Sequence, residues 1–164
     1  MLLAAGPGTS FKTVKDVMDH ARQNPGKLFN ASSGNGTPGH VGFELFKFMT
    51  GTKIIHVPYK GGAAGIADLI AGQVQLMLES TNSITPFAKA GRVRPLAVMT
   101  AERYSELPDL PAVRELIPSF GGVFSWHGIL APAGTPKLII DKLNRAMASR
   151  GCRTGHCSWI GWIA

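Results

Sequence analysis

Two cysteines in 164 residues are too few for a disulfide-stapled scaffold or a four-cysteine zinc site. Acidic residues are also scarce: ten Asp and Glu stand against seventeen Lys and Arg, leaving a net charge of +7. Apolar runs stay far short of the roughly 20 residues that span a bilayer, so no transmembrane helix is expected. Met1-Leu2-Leu3-Ala4-Ala5 has no basic stretch before it and is cut off by Gly6-Pro7-Gly8, so it does not read as a signal peptide. Spaced catalytic signatures are missing as well: no G-x-S-x-G, no H-E-x-x-H and no G-x-x-x-x-G-K-[ST]. His20, His40, His56, His127 and His156 fall at no spacing that builds a metal site. No catalytic residue, metal or cofactor is assigned.

The basic excess invites a nucleic-acid reading, but phosphate binding needs clustered charge. Lys12, Lys15, Arg22, Lys27, Lys47 and Lys53 stand as singlets, and no basic helix face is interleaved with aromatics. A solvated basic surface is the simpler account. With 45% apolar and 16% charged residues, the chain has enough to bury a core.

Along the chain, short apolar runs alternate with amphipathic stretches. Residues 13–23 read as a helix, with Val14, Val17, Met18 and Ala21 at spacings of three and four. Thr13 and Asp16 resemble a capping box, and Pro25-Gly26 stops the helix. Residues 27–30 predict a strand, 31–36 a tight loop, and Thr37-Pro38 the opening of a helix to Met49. Val41, Leu45, Phe48 and Met49 mark its expected inner face, and Gly51 its end. Further strands are expected over 53–57, 74–78 and 93–99, with helices over 63–71 and 83–90 between them. This alternation argues a parallel α/β sheet with right-handed crossovers. After Thr100 the rhythm breaks into a proline-punctuated segment with a short helix at 112–116. A strand at 123–130 and a helix at 136–147, with Leu138, Ile139, Leu143 and Met147 inward, complete the regular part. Residues 150–164 hold both cysteines, Trp159 and Trp162 but no acid, and read as an atypical tail. Cys152, His156 and Cys157 make only a weak metal pattern.

The segment richest in chemistry is Ala31-Ser32-Ser33-Gly34-Asn35-Gly36-Thr37-Pro38-Gly39-His40, a G-x-G-x-x-G between an expected strand and an expected helix. Free backbone N–H groups at a positive helix end make an anion site. A dinucleotide site would need an acidic residue about 20 positions on. His56-Val57-Pro58-Tyr59-Lys60 stands there instead, so only a 2′-phosphate on Lys60 keeps an NADP reading open. A small carboxylate is the alternative, with Ser32, Ser33 and Thr37 adding hydroxyls. Each hydrogen bond to such an anion contributes roughly 1.5–3 kcal/mol. A plain strand-to-helix turn is the third reading. His40, one turn into the helix, reads as packed or capping.

At this loop a family resemblance emerges. Pro25-Gly26-Lys27-Leu28 and Ala31-Ser32-Ser33-Gly34-Asn35-Gly36-Thr37 with His40 resemble the solute-binding proteins of tripartite tricarboxylate transporters, the Bug family. So do His56-Val57-Pro58-Tyr59-Lys60-Gly61-Gly62, Gly72-Gln73-Val74, Leu107-Pro108-Asp109-Leu110-Pro111 and Trp126-His127-Gly128-Ile129-Leu130-Ala131-Pro132. These blocks run in the family's order from about Leu2 to Met147.

The resemblance implies an α/β fold of the periplasmic binding protein type II, or Venus-flytrap, kind. It implies an exported, periplasmic, non-catalytic protein that holds small carboxylates between two lobes and delivers them to membrane permease subunits. Ser32, Ser33, Gly36 and Thr37 map onto the loop of the second lobe that grips one carboxylate. Glu79 stands where the family usually has Asp, and would meet an amino or hydroxyl group of the ligand. A family member is longer, with a signal peptide and a first lobe carrying a Pro-Gly-Gly loop, so a fragment is expected. Residues 4–122 would be most of the second lobe, 123–149 a returning piece of the first, and 150–164 foreign to the fold. The alternative is a fragment of an NADP-binding Rossmann-type oxidoreductase.

Overall fold

The computed structural model describes residues 1–125 and 131–151. They fall into two compact units, Met1–Ser125 and Trp126–Ala164. Residues 126–130 of the expected strand over 123–130, and residues 152–164 of the expected tail over 150–164, lie outside the described residues.

In the first unit the strands are β1 (Leu2–Ala5), β2 (Phe29–Ser32), β3 (Ile55–Pro58), β4 (Leu76–Glu79) and β5 (Arg94–Val98). They form one sheet in the order β3-β2-β4-β1-β5. The helices α1 (Val14–Gln23), α2 (Pro38–Thr50), α3 (Gly62–Ala71), α4 (Thr81–Lys89) and α5 (Val113–Leu116) connect or follow them.

The sheet is mixed, which corrects the expectation of a parallel one. β2 runs parallel to β3 and β4, as a strand–helix alternation demands, but β1 lies antiparallel between β4 and β5. Leu2 pairs with Glu79 on one side and Val98 on the other. All four β1 residues are wholly buried, Leu3 and Ala5 toward one core and Leu2 and Ala4 toward the other. A strand buried on both faces shows no polar alternation, and so gives no strand signal.

α1 and α2 cover one face of the sheet, and α3 and α4 the other. The expected capping box at α1 forms: Thr13 Oγ1 accepts from the Asp16 N–H, and Asp16 Oδ2 accepts from the Thr13 N–H. Val14, Val17 and Ala21 are buried as the spacing predicts. At α2 the termini are right, while of the expected face only Met49 packs against the core. Thr37 caps the start and Gly51 ends it in a left-handed conformation, yet Val41 and Leu45 are exposed and Phe48 is 85% exposed. The buried stripe is Gly39, Gly42, Phe43, Phe46 and Thr50. Glycines form its upper half because a strand backbone and the Val123 side chain come too close for a side chain. A Cβ on Gly39 would stand 2.3 Å from the Leu78 carbonyl oxygen, and one on Gly42 2.7 Å from the Val123 methyls. Phe43 and Phe46 then supply the apolar burial, about 1.5–3 kcal/mol each.

Residues 123–125, the described part of the expected strand over 123–130, form no strand. Val123 instead donates its N–H to the Met99 carbonyl and closes the packing over Gly42. In the second unit Thr135 Oγ1 donates to the Pro132 carbonyl at 2.7 Å and shapes the turn before α6 (Lys137–Gly151). Leu138, Ile139 and Leu143, expected inward, are exposed on α6, because no other described element of this unit packs over them.

Candidate functional site

Three parallel strands, β3, β2 and β4, end side by side, and each leads into a helix. The starts of α2, α3 and α4 therefore gather at the carboxyl edge of the sheet, where α/β folds place their ligands. Each start presents amide N–H groups that have no partner inside the helix, and a partial positive charge.

The β2–α2 loop is a self-bonded cradle. Ser32 is fully buried; its Oγ donates to the Gly34 carbonyl at 3.1 Å, accepts from the Gly34 N–H at 3.2 Å, and lies 2.7 Å from His56 Nε2. Thr37 Oγ1 also donates to the Gly34 carbonyl, at 2.7 Å, and accepts from the His40 N–H. Two of the three expected hydroxyls thus spend their protons on shaping the loop. Ser33 is half-buried, and its carbonyl accepts from the Gly61 N–H at 3.1 Å. With the Tyr59 N–H donating to Ser32 O, this stitches the β2–α2 and β3–α3 loops together. Gly36 is exposed with φ at +77°, a conformation that favours glycine. Its N–H donates to His40 Nδ1 at 3.0 Å.

His40 and His56 stack with ring centroids 4.0 Å apart. Burial, then the neighbouring His40, holds His56 below the usual imidazole range. On the outer side of His40, Glu44 Oε1 lies 4.0 Å from Nε2 and 2.6 Å from Lys47 Nζ.

Glu79 ends β4 and is 7% exposed. Its Oε1 accepts from the Ser80 N–H at 2.8 Å, at the start of α4. Its Oε2 is closed to solvent, has no hydrogen-bond partner, and would stand 2.7 Å from a Cβ on Gly62, the first residue of α3. Neither α3 nor α4 has a side-chain cap of its own, so this carboxylate lies where two helix starts leave positive charge uncompensated. The structure thus places Ser32, Ser33, Gly36 and Thr37 in one loop, and Glu79 at the end of the strand next to β2.

Sequence reasoning missed two residues here. Asn30 is fully buried, and neither side-chain polar atom has a partner; it sits two positions before Ser32 on the same strand face, in register with His56. An Asn in an otherwise apolar strand was the available signal. His56 was read only as part of a motif, although strand periodicity puts it on that same face.

Dinucleotide binding gains nothing from the fold, because an antiparallel strand inserted between β4 and β5 departs from the consecutive parallel strands of that architecture. Comparisons with known proteins point elsewhere. A protein from Pseudomonas sp. (strain P51), named for the tcbD-tcbE intergenic region, is 36% identical over 145 residues, which are 87% of this chain and 43% of the relative. The structure titled R. palustris Rpa4515 with adipate is 40% identical with a TM-score of 0.86, over 90% of this chain and 50% of that one. MatC from Rhodopseudomonas palustris with bound malate is 27% identical with a TM-score of 0.77, again over 90% of this chain and 50% of the other. The chain spans about half the length of such relatives. Residues 1–154 match the model of the tripartite tricarboxylate transporter family receptor. This chain belongs to that family.

Proposed function

We propose that this chain is the carboxylate-gripping lobe of a periplasmic solute-binding receptor that feeds a tripartite tricarboxylate-type permease. The observation that carries the reading is the glycine loop, fixed by its own hydrogen bonds at the start of α2 and open at Gly36. Support comes from the relatives of the same fold that hold adipate and malate. Ser32 and Thr37 set the loop, and Ser33 and Gly36 face one ligand carboxylate at the positive start of α2. Preorganised donors are worth more than mobile ones, because their ordering cost is met on folding. Glu79 belongs to the set through its unpartnered oxygen; swinging off Gly62, it would accept from a ligand hydroxyl or ammonium. In this reading residues 4–122 form the lobe and 123–149 return toward a second one. The protein binds and delivers; it does not catalyse, and nucleic acid is not a partner.

The test is a titration of the chain with adipate, followed by amide chemical shifts. Shifts confined to residues 33–40, with a dissociation constant of about a millimolar, are expected, because sites normally bury 70–90% of a ligand. Fusing the missing half of a relative should tighten binding about a hundredfold, or roughly 2.7 kcal/mol. Absent or scattered shifts, or NADP shifting the loop where adipate does not, would defeat the reading.

A further inference from the structure

The Gly36 N–H, the exposed donor at the apex of the proposed carboxylate loop, is held by a titratable atom. His40 Nδ1 accepts that bond, so its proton must sit on Nε2 in this state. A proton added to Nδ1 removes the lone pair on which Gly36 depends. We propose that His40 couples carboxylate capture to proton uptake: the bound carboxylate takes over the Gly36 N–H, and His40 becomes an imidazolium beside the anion. The proposal rests on the reading of the loop as a carboxylate site and assigns His40 a positioning and charge-matching role within it.

The balance is simple. One hydrogen bond, Gly36 N–H to His40 Nδ1, is exchanged for another, Gly36 N–H to a ligand carboxylate oxygen. The proton that reaches Nδ1 comes from solvent. The exchange gains in two ways, since a hydrogen bond to an anion is stronger than one to a neutral nitrogen, and the new cation lies next to the new anion.

Charged groups around the ring decide whether this is feasible. On α2, Glu44 Oε1 stands 4.0 Å from His40 Nε2, and Lys47 Nζ engages the same oxygen at 2.6 Å. On β3, His56 stacks against the ring, and two imidazoliums at 4.0 Å would repel. Burial first, then His40, holds His56 below the usual imidazole range, against a smaller upward pull from Glu44. Its Nε2 is also engaged with Ser32 Oγ at 2.7 Å, which fixes the ring as a platform. On β4 the titratable group is Glu79, whose free oxygen packs toward Gly62. Lys60, on the loop bonded to Ser33, adds a further positive charge to the neighbourhood. Of the stacked pair, His40 alone has both a carboxylate beside it and a loop amide to release.

The experiment is calorimetry of the full chain with adipate at pH 8 and pH 5.5, in buffers of different ionisation enthalpy. Affinity should rise about tenfold toward the acid side, which over these 2.5 pH units corresponds by linkage to a mean uptake of about 0.4 proton per adipate bound. His40→Asn places an amide oxygen near the position of Nδ1, so it can hold the Gly36 N–H but cannot take up a proton. Its adipate affinity should change less than about twofold across the same range. Should that variant fold poorly, imidazole ¹⁵N shifts of the unmodified chain give the same answer: adipate should move His40 from the Nε2–H tautomer to the doubly protonated ring. Adipate binding without proton uptake, with the same pH slope in His40→Asn or with an unchanged His40 tautomer would overturn the coupling and leave the carboxylate reading standing. Failure to bind adipate at either pH would overturn both.

Discussion

Replacing Gly39 by alanine tests the seat of the whole loop. Gly39 is buried in the first turn of α2, in a helical conformation that any residue adopts, so backbone strain is not at issue. A methyl group there would stand 2.3 Å from the Leu78 carbonyl oxygen, roughly 1 Å inside ordinary contact. The obstacle is backbone of a central strand and cannot rotate away as a side chain would. The start of α2 must lift, and Gly36 and Thr37 lift with it. Overpacking of this kind costs about 1–3 kcal/mol, and more where backbone must move. Against it stands the better helix propensity of alanine, at most about 1 kcal/mol and less in a first turn. The net expectation is a loss of about 2 kcal/mol, or roughly 4–8 °C in melting temperature for a chain of this size. Gly36→Ala is the matched control: nothing lies within 4 Å of its Cβ, so only the left-handed backbone is penalised, by about 1–2 kcal/mol. Urea denaturation and thermal melts followed by circular dichroism measure both. The adipate titration should show Gly39→Ala losing loop shifts even where it remains folded. A Gly39→Ala variant as stable as the parent would refute the argument, because α2 would then not sit on the end of β4 as described.

Gly62→Ala meets the carboxylate of Glu79 at 2.7 Å, a group that can swing away, so its cost should stay below about 1.5 kcal/mol and a crystal structure should show Glu79 rotated. Glu115 is held down to about 2, first by its hydrogen bond from Arg103 and then by the Ala112 N–H. A depressed carboxyl contributes stability above its unfolded value and loses it as pH falls through the folded one. Melting temperature should therefore decline between about pH 4.5 and 2, and decline less in Glu115→Gln. Burial, then a 2.7 Å hydrogen bond to Asp68, pushes Tyr59 up to about 12, and burial also raises Tyr104. As these are the two tyrosines of the chain, phenolate absorbance should show no titration step at the ordinary value of 10 in the folded protein. The stability they contribute is complete below that pH and is lost as it rises toward 12.

What the sequence made legible was punctuation. Thr13 with Asp16, Thr37 with Pro38, and the glycines at 51 and 72 mark helix ends that the structure keeps, because capping is local chemistry between residues a few positions apart. Faces were harder to read. Hydrophobic periodicity selected Val41, Leu45 and Phe48 on α2, whereas tertiary packing put Gly39 against the Leu78 backbone and Gly42 against Val123; a glycine contributes nothing to an apolar count, yet allows the closest approach. β1 escaped because four small or apolar residues buried on both sides carry no alternation. Within the candidate site, the loop Ser32–Thr37 was legible from its glycines and hydroxyls. The clamp by His40 and His56 was not, since it depends on a strand and a helix meeting across a turn.

The position of β1 has a consequence for how the chain reaches this structure. β2, β3 and β4, with α2 and α3, are close enough in sequence to assemble among themselves. Among the described strands β5 has β1 as its only neighbour, besides a single bridge from Val98 to Ala112, and β1 lies far in sequence from β4. Until β1 inserts, β4 presents an open edge and β5 is tied only by the Val98–Ala112 bridge among the described residues, a condition under which strands recruit neighbouring molecules. Insertion of Leu2–Ala5 is a long-range step that closes the sheet, so refolding should be slow and sensitive to protein concentration. Chaperones that shield exposed strand edges should raise the yield most during that interval.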